Sequence, residues 1–83
     1  MTTVVNKRAV VFDIDICRPS SWGNPFRIGV HGTREQVIDK FHLWVLQQPA
    51  LIESAQAHLK DRVLGCVCKP LPCHGDVWVE ILD

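Results

Sequence analysis

Between Ala9 and Ile16, Phe12, Ile14 and Ile16 alternate with Val11, Asp13 and Asp15. That two-residue period predicts a half-buried strand. The next apolar stripe has a helical period: Val37, Phe41, Trp44 and Val45, widened by Ile38. Thr33-Arg-Glu-Gln36 fits a capping box at its start, with Thr33 as N-cap and Gln36 three residues on. Pro49 ends this helix and is placed to open the next, whose apolar face is Leu51, Ile52, Ala55 and Leu59. Arg62–Cys68 reads as a second strand around Val63 and Leu64, stopped by Pro70 and Pro72. From Cys73 or His74 a short last helix runs to Leu82, burying Val77, Trp78, Ile81 and Leu82.

The order strand, helices, strand, helix predicts a small single α/β domain over residues 1–83. Its sheet is mainly parallel, with two to four strands flanked by three helices, because a strand–helix–strand crossover makes the joined strands parallel. Two strands alone make a poor sheet. A third is expected from residues 2–6 or 27–30, or from a partner subunit in a homodimer. The segment Cys17–Phe26 is a loop rich in turn formers, including Pro19, Ser20, Ser21, Gly23, Asn24 and Pro25.

Composition narrows the function classes. The chain has 83 residues, nine basic and nine acidic. That balance argues against an extended nucleic-acid or membrane-binding surface, which carries a basic excess. A chain this short buries only about 60–65% of its unfolded surface, so a metal, a partner or a dense core must help. Lys7-Arg8 follows Met1–Asn6, the wrong order for a secretory leader, and no segment approaches a membrane span. A cytoplasmic location is therefore expected. In a reducing compartment, clustered cysteines point to metal binding or reactivity before disulfides.

The chemistry is concentrated in Leu64-Gly-Cys66-Val-Cys68-Lys-Pro70-Leu-Pro72-Cys73-His74-Gly-Asp76. In a parallel sheet this block and the loop from Cys17 meet at the carboxyl edge, the usual ligand edge of open α/β sheets. Three readings stay open. Cys66, Cys68, Cys73 and His74 supply enough ligands for zinc, although their spacing differs from the usual knuckle. Alternatively, Cys73 at a helix start beside Arg18 is an activated thiol, His74 an acid or base, and Asp76 its support. In that case Arg18 and the helix N-terminus hold an anion, with Ser20, Trp22, Asn24 and Cys68 at the ligand and Trp22 stacking or walling the pocket. Finally, the cysteines are small core residues.

Three blocks together, Arg18-Pro-Ser20-x-Trp22-Gly-Asn24-Pro-Phe26, Gly32-Thr33-Arg-Glu35 and Leu64 through Val77, resemble the DUF4326 family of small bacterial and phage proteins. The resemblance covers residues 9–82 and marks Arg18, Trp22, Asn24, Cys68, Cys73, His74 and Asp76 as motif positions. Cys17 departs from it, standing where similar sequences usually have glycine, and Val67 stands where an aromatic is common. The family implies no established activity. The reading favoured here is a domain that binds, and in an enzymatic version processes, a small anionic nucleotide-like ligand. The alternatives are a zinc-stabilised interaction module and a phage accessory protein that binds a host protein.

Overall fold

The computed structural model describes residues 1–83. It contains β1 (Thr3–Asn6), β2 (Ile14–Asp15), α1 (Arg34–Leu46), α2 (Pro49–His58), β3 (Val63–Cys66) and α3 (His74–Leu82). The three strands form one parallel sheet in the order β1-β3-β2. The third strand therefore comes from the amino-terminal segment. Ile28 forms only an isolated bridge with Gly32.

Both predicted strands are longer than those observed. Of Ala9–Ile16, only Ile14–Asp15 keeps ladder geometry. After Asn6 the chain turns, with the Ala9 and Val10 N–H groups donating to the Asn6 carbonyl. Val11 is 91% exposed, so the alternation there does not describe a sheet face. At Asp13 the chain meets β3: its N–H donates to the Val63 carbonyl at 2.7 Å, and its carboxylate accepts from the Val63 N–H at 2.8 Å. The strand expected at Arg62–Cys68 ends at Cys66, and the chain turns so that the Leu71 N–H reaches the Cys68 carbonyl.

The helix signals hold. Thr33 caps α1 and the reciprocal capping box with Gln36 forms. Pro49 is the first residue of α2, where its missing N–H costs nothing. Trp78, Phe41, Ile16, Leu59, Leu64 and Val45 are the largest fully buried side chains. Phe41 meets Trp78 edge-on at 5.7 Å between ring centroids, a favourable arrangement for aromatic quadrupoles. The chain ends are clasped as well: the Thr2 N–H and hydroxyl both donate to the Asp83 carboxylate at 2.9 Å.

Close packing positions the start of α3. A Cβ on Gly75 would lie 2.8 Å from Val4 Cγ1 and 2.9 Å from Ile16 Cδ1. The helix thus rests its first turn directly on side chains of β1 and of the residue after β2. Cys73 and His74 are delivered to the sheet's carboxyl edge by this contact. No helix is long and apolar enough to cross a membrane.

Candidate functional site

All three parallel strands end at one edge, and the residues that follow them line a cavity of about 350 Å³. Lys7 and Arg8 come from the end of β1, Cys17 and Arg18 from the end of β2, and Cys66, Val67 and Cys68 from β3 and beyond. Arg34 from α1 and Cys73 and His74 from the start of α3 complete the polar lining. Phe26, Ile28, Val37 and Ile38 give an apolar wall. Two loops that frame the cavity each carry a cis X-Pro bond, Arg18–Pro19 and Lys69–Pro70.

The lining contains four basic side chains and no carboxylate. Lys7 is partly neutralised by Asp15 at 2.7 Å. The three arginines take part in none of the molecule's ion pairs. Arg18 Nη1 donates to the Asn24 carbonyl at 2.7 Å, and Arg34 Nη1 donates to the Pro72 carbonyl at 3.2 Å. A carbonyl fixes a guanidinium without cancelling its charge. The site therefore holds three uncompensated positive charges beside the N-terminus of α3, whose dipole the Asp76 carboxylate partly offsets.

The floor is a sulfur–nitrogen cluster. Cys66, Cys73 and His74 are buried, and one ligand atom from each lies within 4.8 Å of the others. This set could hold a metal ion. His74 Nε2 is 2.8 Å from the Ile16 carbonyl. A carbonyl only accepts, so Nε2 carries the proton and a neutral ring keeps a lone pair on Nδ1. Phe41 packs edge-on to the imidazole at 5.5 Å and fixes its plane. Cys73 is drawn below the ordinary thiol range chiefly by a hydrogen bond with Cys66, against the cost of burial and with help from the Gly75 N–H. Cys66 is pushed up to about 11 by that same bond and by its burial.

Several expected site residues serve the scaffold instead. Cys68 lines the cavity but lies outside the three-residue cluster, because the chain turns after Cys66. Trp22 does not line the cavity. Its ring packs edge-on to Trp78 at 5.7 Å, and its carbonyl accepts from Trp78 Nε1 at 3.0 Å. The Ser20 hydroxyl is buried without a partner and lies away from the lining. Asn24 is at the cavity, but its amide is committed: Nδ2 donates to the Val37 carbonyl and Oδ1 accepts from the Phe26 N–H. Asp76 does not orient His74. Its carboxylate accepts from the Cys73 N–H at 3.1 Å and pairs with Lys69, so it caps α3.

Arg18, Cys73 and His74 line one cavity, and the Cys73 thiol is drawn down by Cys66 and the Gly75 N–H, not by Arg18. Sequence reasoning missed Lys7, Arg8 and Arg34. A signal for the first two existed, since a parallel strand at residues 2–6 ends immediately before them.

The model of the domain of unknown function DUF4326 matches residues 3–83. The chain belongs to the DUF4326 family. It is also 39% identical, over 96% of its length and 76% of the relative's, to an "Uncharacterized 12.4 kDa protein in nrdA-td intergenic region" of Enterobacteria phage T4. No solved structure matches the chain. Within this DUF4326 domain, the family blocks map onto three parts of one site. The Arg18–Phe26 block forms the arginine-bearing loop, the Gly32–Glu35 block starts α1, and the Cys66–Asp76 block is the floor and the α3 cap.

Proposed function

We propose that this DUF4326 domain binds a small anionic ligand, nucleotide-like in class, in the cavity at the carboxyl edge of its sheet. One observation carries the reading: four basic side chains line the cavity and no carboxylate does. Arg8, Arg18 and Arg34 would meet the anion. Phe26, Ile28, Val37 and Ile38 would take the flat, less polar part of the molecule. A volume of about 350 Å³ is near the lower end of the roughly 300–1,000 Å³ of small-molecule sites. That favours a single phosphorylated unit over a dinucleotide. Cys73 and His74 at the floor are the groups placed to act on a bound molecule.

Calorimetric titration of the reduced protein with inorganic phosphate and with nucleoside monophosphates tests this. The expected result is saturable binding that weakens about tenfold or more in Arg8→Ala, since a hydrogen bond to a charged group contributes about 1.5–3 kcal/mol. The Arg8 side chain makes no internal hydrogen bond or ion pair, so this variant leaves the fold intact. Unchanged affinity in folded Arg8→Ala, or no binding by the parent protein, contradicts the reading.

A further inference from the structure

The cavity floor combines two sulfurs and a nitrogen, and the anion reading leaves Cys66 without a role. We propose that Cys66, Cys73 and His74 form a binding site for one borderline-soft divalent ion of the Zn²⁺ class, with its fourth position open to the basic cavity.

Two separate elements of the backbone, β3 and the start of α3, converge to make the site. Cys66 is the last residue of β3, Cys73 is the N-cap of α3, and His74 is its first residue. Their ligand atoms already lie within 4.8 Å of one another. Tetrahedral zinc takes sulfur at about 2.3 Å and imidazole nitrogen at about 2.0–2.1 Å, so the donors need only small movements to close on an ion. Two thiolates and an imidazole select Zn²⁺-like ions and reject Mg²⁺ and Ca²⁺, which prefer oxygen.

The orientation of His74 is that of a ligand. Metal-binding histidines commonly donate their other N–H to a backbone carbonyl, which fixes the tautomer and ring plane. Here the Ile16 carbonyl is that acceptor at 2.8 Å, and Phe41 holds the ring edge-on. A ring nitrogen of His74 lies within 4.8 Å of both cysteine sulfurs.

The fourth position follows from where the three donors lie. All three line the cavity, and Cys17 and Cys68, the other sulfurs there, are outside the cluster. Three protein ligands with an open position are the arrangement that accepts water or substrate, whereas structural zinc sites are closed by four. Two thiolates cancel the charge of the ion, so the arginines at the rim keep their attraction for an anionic fourth ligand. The metal site stands on the cluster alone; only the open position draws on the anion reading.

Cobalt(II) titration of the full, reduced, chelator-treated chain under anaerobic conditions tests the proposal. The expected result is one equivalent bound, with thiolate-to-cobalt charge transfer in the near ultraviolet and intense visible bands of tetrahedral cobalt, all bleached by Zn²⁺. Cys68→Ser should bind unchanged. Cys66→Ser, checked for folding by circular dichroism, should lose about tenfold or more in affinity, at least what loss of an outer-shell partner costs. Inorganic phosphate should then shift the visible bands of the parent's cobalt complex. Absence of thiolate charge transfer in the parent protein overturns the site, whatever the variants do. Loss of the spectrum in Cys68→Ser, or visible bands indifferent to phosphate, overturns the open position. Phosphate binding by the metal-free protein, measured separately, reports on the anion reading and not on the metal.

Discussion

Replacing Gly75 with alanine sets two effects of opposite sign against each other. Helix propensity alone favours alanine by up to about 1 kcal/mol. Packing opposes it. The new methyl would lie 2.8 Å from Val4 Cγ1, 2.9 Å from Val4 Cγ2 and 2.9 Å from Ile16 Cδ1, where ordinary contact begins near 3.4 Å. About 0.6 Å of separation must therefore be found, the difference between 3.4 and 2.8 Å. It cannot come cheaply, because Val4 is β-branched and stiff and Ile16 is fully buried. Overpacking of this kind costs about 1–3 kcal/mol. Packing wins, and the expected net loss is about 1 kcal/mol. The same displacement pushes Cys73 and His74 away from Cys66, so ligand binding at the cavity floor should weaken more than stability does. Urea denaturation gives the first quantity and calorimetry the second. A Gly75→Ala protein stabilised by about 1 kcal/mol, with the propensity gain uncompensated, refutes the reasoning.

Three further outcomes are expected. Asn24→Ala removes a buried amide that joins the arginine-bearing loop to α1 through Val37; it should lower stability by about 1–3 kcal/mol in chemical denaturation, and an unchanged midpoint contradicts that role. Trp22→Ala should cost about 2 kcal/mol, less than the roughly 3–5 of a fully buried aromatic, while phosphate affinity of the folded fraction stays constant; an affinity loss would put Trp22 at the ligand after all. Asp15 is held below the usual carboxylate range by its bond from Lys7 and then by the Cys17 N–H. Because the folded form is the more acidic, its contribution is complete above the unfolded value near 3.8 and fades as pH falls through the folded one. Asp15→Asn should therefore flatten the acid limb of a stability–pH curve, and identical limbs would remove Asp15 from it.

Helix ends were legible because local chemistry sets them. Thr33 and Gln36 satisfy each other's backbone N–H groups, Pro49 has no N–H to satisfy, and Cys73 lies where prolines end. Strand lengths were not legible. Ala9–Asp13 alternates like a strand, but the Asn6 turn takes the Ala9 and Val10 N–H groups, and the chain bonds to β3 only from Asp13 on. Within the site, the carboxyl-edge rule located Arg18, Cys73 and His74. Roles went astray where a side chain had two uses. Trp22, Asn24 and Asp76 all sit near the cavity in sequence terms, yet burial or a backbone N–H claims each of them. The arginines Arg8 and Arg34 escaped notice because zero net charge hides a local cluster whose carboxylate counterparts lie elsewhere on the surface.

The most direct test of the central claim is two-dimensional amide NMR of the reduced, metal-free protein during titration with phosphate. Shifts should be saturable and confined to the N–H groups of Arg8, Arg18, Val67, Cys68 and the first turn of α3, all at the carboxyl edge of the sheet. Shifts centred on the opposite end, around Thr2, Asp61 and Asp83, or no shifts at millimolar phosphate, would contradict an anion site in this cavity.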